Sequence, residues 1–430
     1  MLEHYFVKPQ TVDRIRASWL GESIERYVAW LVEQGYAVRN IHRRVPLLVQ
    51  FGEFAQKRGA KCLGDLPIHV SAFVEDWLGK RPHHRKGGGR RELANEVRGP
   101  VEQMLRLVIP GCTAGTRRGP WDPPFAKEAP GFFPYLREER GLKEGSLRAY
   151  GFHLRRLRKY LKRVGVYELG ALSPVLLSAF VADCGGVDES GQSGKRLGRS
   201  SMIGLCCSLR VFLRYLHREG IVARDLSPAV ESPRHYRLAD IPRSISWEEV
   251  RRVLEVVDRR TAGGRRDYAM LLLMVTYGLR GHEVAGLTLD DLDWKRERLC
   301  VPERKAGHST AYPLSATVGE AIVDYFQHGR PQTTDRHLFL RVTAPHLPLR
   351  GYSVGNRATH YLRKADIRVA RPGSHTFRHS CVQRLVDAEF SFKTIGDYVG
   401  HRSPSSTEVY TKVAIEGLRE VALGDGEAIL

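Results

Sequence analysis

Within about forty residues near its C-terminal end, the chain collects several side chains suited to phosphate chemistry. They are Ser374-His375-Thr376-Phe377-Arg378-His379, then Gly400-His401, then Thr407-Glu408-Val409-Tyr410-Thr411. A histidine and an arginine at i and i+3 project from one side of a helical turn, so both can reach the same anion. The planar guanidinium suits the paired oxygens of a phosphate, and an imidazole can donate a hydrogen bond or move a proton. A tyrosine hydroxyl held beside such a group can attack phosphorus and form a covalent intermediate. Taken alone, a His-x-x-Arg, a Gly-His or a tyrosine ahead of a terminal helix more often packs than reacts; the weight lies in their order and spacing.

A further arginine precedes them in Thr276-Tyr277-Gly278-Leu279-Arg280-Gly281-His282-Glu283, followed by Leu287-Thr288-Leu289-Asp290-Asp291-Leu292-Asp293-Trp294. In this combination the chain resembles the tyrosine recombinases, the phage-integrase group. Members carry a Thr-Gly-Leu-Arg-x-x-Glu context, a hairpin lysine, His-x-x-Arg, Leu-Gly-His and a tyrosine about one short helix later. Here the fourth piece reads Val399-Gly400-His401, a mild departure. The six family positions fall on Arg280, Lys305, His375, Arg378, His401 and Tyr410. Lys305 is the best match for the hairpin lysine, with Arg304 beside it. The likeness covers about the last 190 residues closely and about 110 more loosely. It implies that the arginines clamp a phosphodiester, that Tyr410 attacks to give a 3′-phosphotyrosyl enzyme and a free 5′-hydroxyl, and that Lys305 protonates the leaving oxygen. His375 would accept the tyrosine proton, and His401 would hydrogen-bond and position the phosphate. Tyr398 is the other nearby tyrosine, in a stretch where a helix should bury an aromatic; Tyr410 follows Ser405-Ser406-Thr407, residues suited to capping a new helix.

The elements that must position these groups are partly visible. Residues 267–278 form a nearly unbroken apolar helix ending in glycine, which would bury itself and hold Arg280 at its end. Ser246 or Ser244 starts a helix with Glu248 and Glu249 in its first turn. Leu299-Cys300-Val301 and Ala311-Tyr312-Pro313-Leu314 predict two strands around a turn at 304–308. Glu283, one turn on, is expected to orient Arg280 or to pack structurally rather than to react.

The chain has 430 residues, enough for two or three domains, and a formal net charge of +20. So large an excess predicts a polyanionic partner, most simply nucleic acid. No apolar run reaches membrane-spanning length and the N-terminus lacks signal-peptide character, so a cytoplasmic, nucleoid-associated protein without a membrane partner is expected. Seven cysteines are scattered with no C-x-x-C pair. They predict reduced, mostly buried thiols, Cys206 and Cys207 among them, and no metal site. Neither a carboxylate cluster for magnesium nor a Walker-type phosphate loop is present, so no cofactor is expected.

The N-terminal part is expected to repeat itself. Gly35, Ile41, Phe54, Gly59, Leu63 and Leu66 correspond at one offset to Gly141, Leu147, Tyr160, Gly165, Leu169 and Leu172. Pro46 predicts a kink or late start in the helix of the first copy. In the second copy, Leu147, Tyr150, Leu154, Leu157 and Leu161 make a buried stripe, while Arg148, Arg155, Arg156, Arg158, Lys159, Lys162 and Arg163 run around the other side. No acid lies between Arg148 and Arg163, and phosphates would compensate that charge well. By the resemblance this is the core-binding domain. A helix over 200–219 would complete its bundle, and the glycine- and charge-rich stretches 81–91 and 185–199 fall at matching places as loops.

These readings predict a mainly α protein with a small antiparallel β-sheet: helical DNA-binding domains plus an α+β catalytic domain. The expected boundaries are 1–112 for a diverged N-terminal copy, 113–130 for a linker, 131–236 for the core-binding domain and 237–430 for the catalytic domain with its tail. The expected function is a metal- and ATP-independent, site-specific DNA recombinase of a mobile element, working on double-stranded DNA as a dimer to tetramer. The apolar stripe Val413, Ile415, Leu418, Val421 and Leu423 would pack the tail on a neighbouring subunit. A type IB topoisomerase-like enzyme and an inactive DNA-binding relative are the alternatives.

Overall fold

The computed structural model describes residues 2–80, 89–113, 121–185, 197–234, 244–304 and 308–400. Lys305, His401, Tyr410, the tail stripe and most of the two glycine-rich loops lie outside the described residues. By its contacts the chain forms two compact units, one of residues 1–115 with 238–430 and one of 116–237.

The first unit begins with a helical bundle: α1 (Pro9–Ala17), α2 (Gly21–Glu33), α3 (Val38–Lys57), α4 (Leu66–Gly79) and α5 (Gly89–Val108). Apolar residues three and four apart on α2 and α3 (Ile24, Tyr27, Val28, Leu31; Ile41, Val45, Leu48, Phe51) meet Phe73 and Val74 of α4 and Val101, Met104 and Leu105 of α5 in one core. Helix α3 starts eight residues before Pro46 and continues through it, so the expected late start does not occur. Pro46 and the nearby His42 are exposed, where water can take up the carbonyl that the proline frees. Leu2 ahead of α1, Val12 and Ile15 on α1, and Leu20 just before α2 join the same core.

The second unit holds α6 (Phe132–Glu138), α7 (Glu144–Arg163), α8 (Pro174–Gly185) and α9 (Arg199–Arg218). Its elements follow the order of the first bundle. Helices α3 and α7 have 20 residues each, as do α5 and α9. Each of the first pair is preceded by a left-handed glycine, Gly35 at φ 73° and Gly141 at φ 61°. Short 3₁₀ turns, Leu63–Asp65 and Leu169–Ala171, follow at the same place. Two expectations need correction. Residues 121–130 are not simply a spacer: Phe125 is buried and stacks on Phe212, and Trp121 packs edge-on against Phe133. Cys206 is buried but Cys207 is exposed, because neighbours on a helix point about 100° apart; of the seven thiols only Cys184, Cys206 and Cys381 are buried.

The rest of the first unit surrounds one long apolar helix. It comprises α10 (Trp247–Glu255), α11 (Ala262–Tyr277), α12 (Gly281–Gly286), β1 (Leu292–Asp293), β2 (Arg298–Arg304), β3 (His308–Pro313), α13 (Ala316–His328), α14 (Gly351–Lys364), α15 (Ser374–Asp387) and α16 (Phe392–Val399). The strands pair antiparallel in the order β1-β2-β3, with Leu292 opposite Leu299 and Leu299 opposite Tyr312. Helix α11 is buried almost all round, from Ala269 to Val275, which is why its apolar pattern has no polar face. The one acid in its middle, Asp267, is buried and accepts from Arg266 Nε (2.9 Å), Arg357 Nε (2.6 Å) and Tyr361 Oη (3.1 Å). That network ties α11 to α14, and removing the carboxylate would leave two guanidiniums unneutralised at a cost of about 3–5 kcal/mol. Among the described residues no helix is long and apolar enough to cross a membrane.

Candidate active site

Helix α11 is capped at its start by Thr261, whose hydroxyl accepts from Gly264 N (3.0 Å), and stopped at its end by Gly278 in the left-handed region at φ 61°. A Cβ at Gly278 would lie 2.9 Å from Val399 Cγ1, so glycine satisfies both the turn and the close approach. The reversal delivers Arg280 to the N-cap of α12. Glu283, 7% exposed, holds it there: one carboxylate oxygen accepts from the Arg280 backbone N–H and the other from Nη1, both at 2.8 Å. The orienting role expected for Glu283 is thus the one its geometry supports.

Helix α15 supplies the second pair. Arg378, only 3% exposed, donates from Nη1 to Gly278 O and from Nη2 to Val399 O (2.7 Å). Ser380 accepts from Ile245 N (2.9 Å) and so ties α15 to the segment before α10. His375 lies one turn before Arg378 on an exposed flank. Partial burial of its ring, then the nearby Arg378 and Arg280 guanidiniums and His282, push its pKa below the ordinary 6.5. That direction favours the neutral ring, the form that can accept a proton.

Helix α16, capped by Ser391 on Thr394 N (3.1 Å), closes the site. It ends at Gly400 with φ 68°, where Arg280 Nη2 donates to Gly400 O at 3.2 Å. Arg280 and Arg378, about a hundred residues apart, thus bond adjacent carbonyls at the C-terminal end of one helix, where partial negative charge favours cations. Of the six expected site residues, the structure brings Arg280, His375 and Arg378 together. Lys305 follows β2 in the sequence, His401 follows Gly400, and Tyr410 comes nine residues after that; these three are outside the described residues. Tyr398 is engaged in packing: its hydroxyl donates to Thr276 O (2.9 Å). No group of three His, Cys, Asp or Glu that could hold a metal occurs among the described residues.

The seven cations expected on DNA all lie on α7 outside its core stripe. Arg148, Arg155, Lys159 and Lys162 are exposed, and Arg156 and Arg158 are partly covered. Arg163 is exposed but ion-paired with Asp183, so its charge is compensated within the bundle. Arg155 Nη1 reaches Asp122 O at 3.4 Å, and Arg156 lies over the Phe152 ring.

Residues 243–416 match the Phage integrase family, and residues 130–220 match its N-terminal SAM-like domain. A Sinorhizobium fredii protein named as integrase/recombinase y4rF is 29% identical over 426 residues, covering 98% of this chain and 95% of its own. The tyrosine recombinase XerD of Mycobacterium tuberculosis is 30% identical over 309 residues, 70% of this chain and 97% of its own. Among solved structures, a lambda integrase (75-356) dimer bound to a COC′ core site has a TM-score of 0.51 at 16% identity, over 66% of this chain and 94% of the other. XerH site-specific recombinase bound to palindromic difH substrate has a TM-score of 0.51 at 15% identity, over 84% and 96%. The mostly helical fold with its three-stranded sheet is the one these neighbours share. The chain belongs to the tyrosine recombinase (phage integrase) family of site-specific recombinases.

Proposed function

We propose that this protein is the recombinase of a mobile element, an integrase or transposase that cuts and rejoins double-stranded DNA through a 3′-phosphotyrosyl intermediate and a Holliday junction. The observation that carries this reading is the joint anchoring of Arg280 and Arg378 on one helix end, with His375 one turn before Arg378 on α15. Two guanidiniums so held can neutralise the non-bridging oxygens of one phosphodiester and the extra charge of its transition state. Tyr410 Oη attacks phosphorus and His375 takes its proton. The P–O5′ bond breaks, and Lys305 protonates the departing 5′-oxygen. His401 hydrogen-bonds the phosphate. A 5′-hydroxyl from a partner strand then reverses these steps on the new junction. The ester conserves the bond energy, so the scheme needs neither metal nor ATP.

In this account residues 131–236 carry the main duplex contact through α7, and residues 1–112 are a diverged copy of that domain. Residues 237–430 perform the chemistry, with the tail joining protomers into a dimer or tetramer on DNA. The near-full-length likeness to a protein named integrase/recombinase supports the mobile-element assignment.

The test starts from DNA of the source genome, incubated with the protein in a chelator, denatured, and sequenced from the protein-linked fragments. One inverted-repeat site should be enriched, and two plasmids carrying it should exchange strands in a junction-dependent way. Relaxation of supercoiled plasmid without such a site, and without exchange, would instead mark a topoisomerase.

A further inference from the structure

The last turn of α16 ends in three successive carbonyls, those of Tyr398, Val399 and Gly400, and each accepts a hydrogen bond from a different element. Arg378 of α15 donates to Val399 O and Arg280, after α11, to Gly400 O. The third donor is Tyr312 of β3, whose hydroxyl bonds Tyr398 O. A helix end leaves these carbonyls without intrahelical partners, so whatever donates to them fixes the angle of the turn.

Tyr312 is 3% exposed and stands in a column of three tyrosines. Its ring lies 5.0 Å from that of Tyr277 and 5.1 Å from that of Tyr398. Tyr277 Oη donates to Pro313 O (3.0 Å) and accepts from Ser315 N (2.8 Å), locking the end of β3 to the end of α11. Tyr398 Oη, bonded to Thr276 O, locks the end of α16 to the same turn of α11. The column therefore joins the three places from which the arginine pair is oriented: the α11 end that launches Arg280, the α16 end that receives both guanidiniums, and the strand beside them.

We propose that Tyr312 is a positioning residue for the Arg280–Arg378 pair, its hydroxyl setting the last turn of α16 and through it the planes of both guanidiniums. The inference rests on the reading that these arginines hold the scissile phosphate. A guanidinium fork that is misplaced by about 1 Å forfeits much of its transition-state contact, a loss on the order of 10²-fold, while ordinary duplex binding through other residues is untouched.

The test uses the full chain and a nicked duplex carrying the site recovered by adduct sequencing, made either with the natural phosphodiester or with a methylphosphonate at the scissile position. The methylphosphonate is neutral and has lost the charged oxygen that the arginines serve. Tyr312→Phe keeps the ring and removes only the hydroxyl. It should bind the duplex like the wild type, cleave the phosphodiester roughly 10-fold or more slowly, and cleave the methylphosphonate at nearly the wild-type rate. Arg280→Ala is the reference, because its larger defect must also shrink on the neutral substrate. An equal Tyr312→Phe defect on both substrates, or no defect on the phosphodiester, overturns the proposal. An Arg280→Ala defect that does not shrink overturns instead the reading of the arginines as a phosphate clamp.

Discussion

Helices α3 and α7 are equally long, each follows a left-handed glycine, and at an offset of 106 residues they bury the same five positions: Ile41, Val45, Leu48, Phe51 and Ala55 in one, Leu147, Gly151, Leu154, Leu157 and Leu161 in the other. Helix α3 buries two more, Val49 and Gly52, and at those places α7 carries Arg155 and Arg158. At Gly52 the cover comes from the link between α1 and α2. Leu20 lies where a Cβ on Gly52 would come within 2.9 Å of its side chain, and Leu20 is itself 1% exposed. One scaffold thus carries cations at these two positions in the second bundle and buried Val49 and Gly52 in the first. Gln50, Glu53 and Gln56 stand where α7 has Arg156, Lys159 and Lys162, so charge has gone with access. The difference fits the proposed phosphate contact on α7, and it gives the matching positions of α3 a packing role.

The largest effect should come from forcing the second pattern on the first. Val49→Arg would bury an unpaired charge and should cost the first bundle about 3 kcal/mol or more, read as loss of its unfolding transition at physiological temperature. The reciprocal Arg155→Val should leave stability nearly unchanged. Equal costs at the two positions would break the comparison.

Next in size, Arg155, Arg156 and Lys159 changed together to glutamate should weaken DNA binding by roughly 100-fold and flatten its salt dependence by about three contacts' worth of slope. Affinity unchanged at several salt concentrations would place that face in solvent. A smaller effect is expected from grafting charge onto α3 with Gln50→Arg, Glu53→Lys and Gln56→Lys, all exposed positions. Affinity should rise by only about threefold, because the adjoining face at Val49 and Gly52 stays covered. A gain approaching 100-fold would show that the cover does not matter.

The smallest effect contrasts α7, whose charges are mostly exposed, with His375, whose ring is partly buried near the Arg280 and Arg378 guanidiniums. Its folded pKa lies below 6.5, so the folded state binds this proton less readily than the unfolded one. Its contribution is then intact above 6.5 and is lost as pH falls below that value toward the folded pKa. In the DNA-free protein, NMR titration of His375 should give a midpoint under 6.5, and Arg280→Ala should move it upward. A wild-type midpoint at or above 6.5 would contradict a His375 held down by burial and its cationic neighbours.

Long elements and the placing of His375 and Arg378 on one helical turn were legible in the sequence because each has a local signal. The stripe of α7, the apolar run of α11 with its terminal glycine, and His-x-x-Arg in a single turn needed no tertiary information. What escaped depends on distant pairing. Strand β1 has two residues and so no periodicity to read. Tyr312 looks like any aromatic in a strand, since the carbonyl it serves lies 86 residues away. The covering of Gly52 by Leu20 requires the chain to fold back on itself, which no window around either residue displays. Asp267 did carry a signal, an Arg-Asp pair in an otherwise apolar helix, which predicts a buried charge that must find partners.

The central claim is that Tyr410 is the nucleophile in a site organised by Arg280 and Arg378. It is tested most directly by incubating the full chain with a nicked duplex of its site in a chelator and resolving protein-linked DNA on a denaturing gel. An unperturbed tyrosine has a pKa near ~10, so the neighbouring cations must support the phenolate for attack near neutral pH. The wild type should give a covalent adduct through the 3′-phosphate, and Tyr410→Phe should give none while binding the same DNA with unchanged affinity. An adduct from Tyr410→Phe would contradict the account and pass the role to another tyrosine.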